Sequence, residues 1–165
     1  MAVLGIDPGP TQSAVVIWDG VCVREHCILD NDAVLNLLTF PVAGVTDVAI
    51  ERISMGGMVA GVETFDTCVM VGRFFQQVTA CQSLRGAGEP YWSAHYLKRQ
   101  EVKKHHLGQV RGNDAQIRAA LVERFGPYKE HAIGTKRAPG IFYGVKSHEW
   151  AALAVAIAWH DRQAA

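Results

Sequence analysis

The sequence has no paired cysteines, no long apolar run and no net charge, and each absence argues against a class of protein. The four cysteines are Cys22, Cys27, Cys68 and Cys81. They include no C-x-x-C pair, which argues against a zinc site and against a disulfide framework. We expect reduced, mostly buried thiols in a cytosolic protein. The longest apolar stretch, 150–159, is too short to span a membrane, and the sequence opens on a strand pattern rather than a signal peptide. We therefore expect a cytoplasmic protein without a membrane partner.

Net charge is lacking too, but the charged residues are unevenly distributed. The formal net charge is zero, so the total gives no support to nucleic-acid binding. One basic cluster lies between residues 98 and 111, and another lies in a glycine-rich segment, 126–147. The candidate nucleic-acid-binding cations are Lys103, Lys104 and Arg111 in the first cluster and Lys136, Arg137 and Lys146 in the second. The acids gather between residues 19 and 66, which predicts a molecule with a basic half and an acidic half.

The chain opens with a strand that ends in a carboxylate. The run 2–6 is typical of a buried strand, Asp7 ends it, and residues 8–10 are turn formers. A second apolar run, 14–18, leads into Asp19-Gly20, which is a strong hairpin signal. Asp7 is therefore expected at the end of a rigid strand, beside a glycine that would let a phosphate or a metal come close. The alternative is that Asp7 bonds only the amides of the turn.

A second core strand is predicted to end in the same way. The run 47–50 is largely apolar and Glu51 follows it. Between the two acids, 21–27 predicts the third strand of an antiparallel meander and 33–38 predicts a short helix. Two core strands that each deliver an acid to one end of a sheet form a specific pattern. The alternative for Glu51 is a carboxylate that faces solvent at a sheet edge.

These residues carry a resemblance to a known family. Gly5-Ile6-Asp7-Pro8-Gly9 resembles the first strand of RuvC-type Holliday-junction resolvases, within the RNase H-like superfamily, and Ala49-Ile50-Glu51 resembles their second acidic strand. The order of the motifs extends the resemblance over nearly the whole chain, and it is closest to small phage-encoded RuvC-like endonucleases. It implies one RNase H-like domain over 1–165, of class α/β, with a mixed five-stranded sheet and helices on both faces.

A long helix and the loop before it have roles that the resemblance implies. Apolar positions recur at helical spacing over about 64–84, and in the family the equivalent helix forms much of a two-fold dimer interface, where we expect Phe74 or Phe75 to be buried. The preceding loop would probe the junction centre with an apolar wedge. Met55 or Met58 is the candidate for that wedge, although ordinary flexible packing is favoured over it. A further strand is predicted at 91–94.

The segment 101–117 resembles the part of RuvC that carries phosphate-contacting lysines. The match covers Val102-Lys103, Gly108 and Gln116-Ile117 without a gap. Where the bacterial family has a second basic residue, this chain has Asp114. We expect Asp114 to cap a helix over 115–125, in preference to serving as a supplementary metal ligand. The glycine-rich segment that follows is predicted to be a long irregular flap that faces DNA.

The last helix, predicted over 148–159, is apolar nearly all round and is therefore expected to be buried. It resembles the RuvC helix that presents two metal ligands three residues apart. His148 matches the first ligand, whereas Ala151 stands where the second, an aspartate, is found. Glu149 is the nearest spare acid and is kept as a candidate metal ligand, although it reaches the site only if the first turn is irregular. The alternative for His148 is a plain surface histidine. The alternative for Glu149 is an acid that the helix dipole favours at the helix N-terminus.

The resemblance implies a metal-dependent, structure-selective endodeoxyribonuclease that resolves four-way junctions by paired nicks as a homodimer, in the host cytoplasm if phage-encoded. Asp7, Glu51 and His148 would be catalytic residues and metal ligands, with Mg²⁺ as the cofactor and Mn²⁺ as a substitute. Two cations about 4 Å apart would clamp the scissile phosphate. The basic clusters would neutralise backbone phosphates, so that binding depends on shape and charge rather than on base sequence.

Three other functions stay open. The same site would serve a nuclease that acts on flaps, forks or RNA–DNA hybrids. Ala151 favours a non-catalytic junction-binding protein. The opening strand also resembles, less closely, the phosphate loop of the actin and sugar-kinase ATPases. That fold needs a duplicated domain, for which 165 residues are too few, and a second Asp-Gly phosphate loop, which the sequence lacks.

Overall fold

A mixed five-stranded sheet forms the centre of the fold. The computed structural model describes residues 1–54, 60–83, 91–126 and 128–164. The strands are β1 (Ala2–Asp7), β2 (Gln12–Trp18), β3 (Val23–Asp30), β4 (Val45–Arg52) and β5 (Ser93–Lys98). Their spatial order is β3-β2-β1-β4-β5. The first three strands are antiparallel, whereas β1, β4 and β5 are parallel.

Helices cover both faces of this sheet. They are α1 (Asn31–Leu37), α2 (Val62–Ser83), α3 (Arg99–Leu107), α4 (Asp114–Phe125), α5 (Lys129–Ala132) and α6 (Glu149–Ala164). Successive residues of a strand point to opposite faces, so Val3 joins the core under α6 while Leu4 and Ile6 join the core under α2. The predicted α/β class, with a mixed five-stranded sheet between helices, is confirmed.

The α6 helix lies directly on the central strand. Residues 152–158 are all buried, as the apolar pattern predicted. The closest approach is at Gly5, where a Cβ atom would lie 2.2 Å from the carbonyl oxygen of Ala152 and 2.8 Å from the Cβ of Ala156. Small residues on both elements thus let the helix backbone touch the strand. This contact fixes the N-terminal turn of α6 near the end of β1.

Two segments differ from the sequence prediction. The last strand runs to Lys98, beyond the predicted 91–94, because its pairing with β4 continues up to Arg52. The segment 126–147 is not a free flap, because its described part packs on the core. Phe142 is fully buried, and its amide donates to the carbonyl of Ala132 at 2.8 Å. A short tip over 135–138 is exposed, and a bridge between residues 134 and 139 closes it.

The cysteine prediction was partly wrong. All four thiols are free, but Cys68 is exposed and the other three are half-buried. None of the described helices is long and apolar enough to cross a membrane. The wedge candidates Met55 and Met58 lie outside the described residues.

The contact at Gly5 gives a test of the packing. We expect Gly5→Ala to lower the free energy of unfolding by about 3 kcal/mol, since the new methyl group forces α6 away from β1. Urea denaturation measures the change. The control is Gly72→Ala in α2, where no described atom lies within 4 Å of the added Cβ, and which should stabilise the helix by roughly 0.5–1 kcal/mol. Equal effects of the two changes would contradict the close approach of α6.

Candidate functional site

The parallel pair β1 and β4 brings two carboxylates together. Ile6 pairs with Ile50, so Asp7 and Glu51, the next residue on each strand, lie at the same edge of the sheet. The two carboxyl groups lie close enough to influence each other's ionisation. Glu51 is only 7% exposed, and the side chain of Asp7 is 16% exposed. The structure therefore places a pair of largely buried acids where the sequence pattern predicted one.

Burial makes both acids hard to ionise. Desolvation raises the pKa of Glu51 to about 7; the Arg99 guanidinium opposes this rise, and the charge of Asp7 adds to it. Desolvation also raises the pKa of Asp7, against the lowering effects of its interaction with Glu51 and of Arg99. Two adjacent buried carboxylates repel each other, and a cation placed between them would relieve that repulsion.

His148 approaches Asp7 from the turn that precedes α6. Its Nδ1 lies 3.3 Å from Oδ2 of Asp7, and 76% of its side chain is exposed. The residue before it, Ser147, has a φ of 47°. This left-handed conformation is rare for a residue other than glycine and stores backbone strain, which is typical of functional positions. The strained turn therefore directs the imidazole to the acid pair.

The structure does not bring Glu149 to this pair. Glu149 is 2% exposed, and its Oε2 accepts a hydrogen bond from the amide of Lys146 at 2.8 Å. The same oxygen lies 3.0 Å from Nδ1 of His26. His26 belongs to β3, which is two strands away from β1. Because its carboxylate closes the first turn of α6 and faces β3, Glu149 is not placed as the predicted metal ligand.

Arg99 is a residue of the site, although its sequence position indicated only membership of the basic cluster between residues 98 and 111. Its Nη1 donates to Oε1 and Oε2 of Glu51 at 2.9 and 3.1 Å, and its Nη2 forms an ion pair with Asp114. Arg99 directly follows β5, the neighbour of β4, so it emerges at the same sheet edge as Glu51. A strand prediction that reached Lys98 would have revealed this position.

The capping role predicted for Asp114 is wrong, because the neighbouring Asn113 caps α4. The Asn113 side chain accepts from the amide of Gln116 at 3.0 Å, and the Gln116 side chain accepts from the amide of Asn113 at 2.9 Å. This reciprocal pair satisfies the helix start. Asp114 is thereby free to engage Arg99 across the mouth of the site.

The donor set fits one divalent cation better than two. Mg²⁺ is usually held by one or two carboxylates and completes its shell with water and substrate phosphates. Asp7 and Glu51 offer that pair, with His148 beside Asp7. Ala151 contributes no donor, and both oxygens of Glu51 already accept from Arg99. Across the described residues, no group of three or more His, Cys, Asp or Glu side chains is arranged to hold a metal ion.

Three clefts open around the acids. The first is lined by Asp7, Glu51 and Arg99, among others. The second is lined by Asp7, Gln12 and His148, among others, and the third by Arg99, Asp114, His148 and Ala151, among others. The cleft that contains both acids therefore shares Asp7 with the second cleft and Arg99 with the third.

The predicted nucleic-acid-binding cations lie on α3, before α4, in the exposed tip and before α6. Lys103 and Lys104 are on α3, Arg111 precedes α4, Lys136 and Arg137 are in the exposed tip, and Lys146 lies just before α6. Lys103 is half-buried and the other five are exposed. Within the described structure none of the six forms an ion pair, so all their charges are available to an anionic ligand. Two of these groups are close to the site along the chain, because Arg99 begins α3, which contains Lys103 and Lys104, and Lys146 precedes His148 by two residues.

The sheet order and the acid pair at its edge define an RNase H-like α/β fold. The chain is similar to a RuvC structure from Thermus thermophilus, with a TM-score of 0.65 and 16% sequence identity over 99% of this chain and 97% of that one. It is also similar to T. thermophilus RuvC in complex with Holliday junction substrate, with a TM-score of 0.61 and 19% identity over 99% and 96% of the two chains. No family model and no curated protein match the sequence. The likeness therefore establishes a RuvC-like fold over nearly the full chain.

The raised pKa of Glu51 predicts how the stability of the metal-free protein depends on pH. Between its ordinary value of 4.5 and about 7, the folded state holds a proton that the unfolded state has lost. The free energy of unfolding should therefore fall from about pH 5 to about pH 8, by on the order of 2 kcal/mol for this group. Urea denaturation in a chelator at both pH values measures it.

Glu51→Gln should abolish most of this fall and should be more stable than the wild type at the higher pH. The exposed Glu123 of α4 provides the control, since Glu123→Gln should leave the pH dependence unchanged. The same fall in Glu51→Gln as in the wild type would contradict the assignment of the titrating group.

Proposed function

We propose that this chain is a metal-dependent, structure-selective DNA endonuclease that resolves four-way junctions. The observation that carries the proposal is the pair of buried acids, Asp7 and Glu51, at the edge of a RuvC-like sheet, with His148 beside them. A similar structure contains Holliday junction substrate, which supports branched DNA as the partner. The cofactor proposed is Mg²⁺, with Mn²⁺ as a substitute, since the donors are carboxylate oxygens with one imidazole.

The residues of the site divide the work of phosphodiester hydrolysis. A bound divalent cation would polarise the scissile phosphate and favour attack by water. Asp7 and Glu51 would hold that cation, and Arg99 fixes the orientation of the Glu51 carboxylate through both of its oxygens. His148 has Nδ1 turned to Asp7, which leaves Nε2 available to orient a water molecule. Nε2 of His148 would therefore be the ring nitrogen that faces the substrate.

Binding of DNA would depend on a few local cations. Because the net charge is zero, no general attraction draws a polyanion to the whole surface. The described cations of α3, of the exposed tip and of the turn before α6 form no ion pair and would instead contact backbone phosphates, which position the duplex arms and carry no direct sequence information.

A homodimer is proposed through the outer face of α2, with a correction to the residues that form it. We had expected Phe74 or Phe75 to be buried in the interface. Phe74 is fully buried in the core of its own chain, and Phe75 stacks on Tyr96 with ring centroids 4.3 Å apart. The apolar side chains that do point to solvent are Val62, Phe65 and Val69, which are 76%, 62% and 60% exposed. Their spacing places them on one face of the helix.

A non-catalytic junction-binding protein is the second candidate. It is favoured by Ala151, which offers no metal ligand, and by the engagement of both Glu51 oxygens with Arg99. A panel of four-way, flap, fork, hybrid and linear substrates with Mg²⁺ and with Mn²⁺ separates the candidates. Cleavage of the four-way junction supports the proposed resolvase. Cleavage of another substrate instead identifies a nuclease with a different substrate, and binding without cleavage supports the second candidate.

The first prediction for this function concerns the acids. Asp7→Asn and Glu51→Gln should each reduce junction cleavage by at least about 100-fold, because a neutral isostere removes charge that holds the cation. Gel-shift assays should show junction binding within a few-fold of the wild type. Asp32→Asn is the matched control, since the side chain of Asp32 is 90% exposed. Normal cleavage by Asp7→Asn would remove Asp7 from the active site.

The second prediction concerns assembly. A four-way junction has two-fold symmetry and needs two nicks, so a symmetric dimer would place one site at each. Sedimentation at micromolar concentration should show dimers of the wild type and monomers of Phe65→Glu, because the buried charge opposes association. Val21→Glu, at a residue that is 74% exposed in the hairpin, should remain dimeric. Wild-type monomers both with and without junction DNA would refute the dimer.

A further inference from the structure

Arg99 is a cation built into an acidic site. Its side chain is only 22% exposed. One guanidinium nitrogen donates to both oxygens of Glu51 on β4, and the other pairs with Asp114 at the start of α4. Two different elements thus hold the guanidinium. An arginine that served only to attract DNA would keep its charged end in solvent.

The charges around Arg99 leave room for one divalent cation. When ionised, Asp7, Glu51 and Asp114 carry three formal negative charges, and Arg99 carries one positive charge. A single divalent cation would neutralise the remaining two negative charges.

Donors for a second divalent cation are lacking on the α6 side of the described site. Ala151 presents a methyl group to the cleft that contains Arg99, Asp114 and His148. Glu149, the nearest acid on α6, is buried against His26 and the amide of Lys146. The cleft is therefore lined by a guanidinium with its own counterion, rather than by free carboxylate oxygens.

We infer that Arg99 is a catalytic residue that supplies the second positive charge of the site, so that the chain uses one divalent cation and one guanidinium. Asp114 is the positioning residue that holds Arg99 from the opposite side. The inference rests on the proposed nuclease function, which it makes more specific. The proposed function needs only the acid pair and His148, so the roles of Arg99 and Asp114 are additional to it.

The contacts of Arg99 are compatible with direct action on a phosphate. In hydrolysis the water oxygen bonds to phosphorus, the bond from phosphorus to one ester oxygen breaks, and the proton lost by water is balanced by the proton that the leaving oxygen gains. A guanidinium has five N–H donors and stays protonated at neutral pH. Three contacts to Glu51 and Asp114 leave donors for a non-bridging phosphate oxygen. Arg99 would therefore stabilise charge without transferring a proton.

Counting bound Mn²⁺ tests the inference without reference to activity. Isothermal titration calorimetry on the full chain should show one Mn²⁺ per wild-type chain, and electron paramagnetic resonance should show an isolated ion rather than a coupled pair. Arg99→Gln should bind Mn²⁺ at least about tenfold more tightly, because a positive charge beside the acids is removed. Two Mn²⁺ per wild-type chain, or a coupled pair, would overturn the inference.

Cleavage rates at saturating Mn²⁺ separate a catalytic Arg99 from one that merely blocks Glu51. Arg99→Gln should lower the rate by at least about 100-fold despite its tighter metal binding, whereas Arg99→Lys, which keeps the charge, should retain a larger share of activity. Asp114→Asn should show a smaller loss, of about tenfold. Faster cleavage by Arg99→Gln would overturn the inference, because it would identify Arg99 as an inhibitory contact.

Arg118→Gln is the matched control. Arg118 lies on α4 and packs over the ring of Trp150, with 4.8 Å between its guanidinium carbon and the ring centroid. Trp150 lines the same cleft, but Arg118 has no ion pair or hydrogen bond with Glu51 or Asp114, so its removal should change neither the count nor the affinity of Mn²⁺. Circular dichroism verifies that each variant is folded, and Arg99→Lys serves if Arg99→Gln is not.

The two hypotheses fail in different ways. A wild-type chain that binds one Mn²⁺ but cuts no DNA would refute the proposed nuclease and, with it, the catalytic role of Arg99. A chain that binds two Mn²⁺ and cuts junctions would refute only the role of Arg99. One Mn²⁺, together with a loss of cleavage in Arg99→Gln, supports both.

Discussion

The direct contact of α6 with β1 is the constraint on which the rest of the structure depends. It exists because Gly5 has no side chain where the helix crosses the strand, and because alanines line the facing side of α6. A helix held this close has its first turn fixed with respect to the end of the same strand. His148 and Asp7 are neighbours for that reason, although many residues separate them along the chain. Backbone packing in the core thus sets the geometry of groups at the surface.

The two buried acids at one edge of the sheet lower the stability of the fold. Hydrophobic packing around Asp7 and Glu51 opposes their ionisation, and the guanidinium of Arg99 offsets part of that penalty. Such a site is less stable than an apolar core of the same shape, which is a common feature of functional sites. The negative charge that is unfavourable to bury is also the charge that would attract a cation.

The sequence was informative where a local pattern decides the structure, and uninformative where distant segments meet. Apolar runs that end in Asp7 and Glu51 predicted two core strands and their common edge, and the apolar last helix was predicted as buried. The ion pair of Arg99 with Glu51 and Asp114 has no local signature, because it joins the ends of β4, β5 and α4. Glu149 was misplaced for a related reason: its position along the helix does not reveal His26 on β3 as its partner. The capping of α4 was off by one residue, since Asn113 and Asp114 are both good caps in isolation.

The anchored segment before α6 has a consequence for how this protein can change. Phe142 and its aromatic neighbours Trp18 and Phe125 hold the base of the segment in the core, while reciprocal backbone bonds between Thr135 and Ala138 close the tip by themselves. The residues of the tip can therefore be exchanged without disturbing the packing beneath them. Lys136 and Arg137 lie in this interchangeable part. Evolution, or an engineer, can retune affinity for a ligand by grafting a new tip onto an unaltered scaffold.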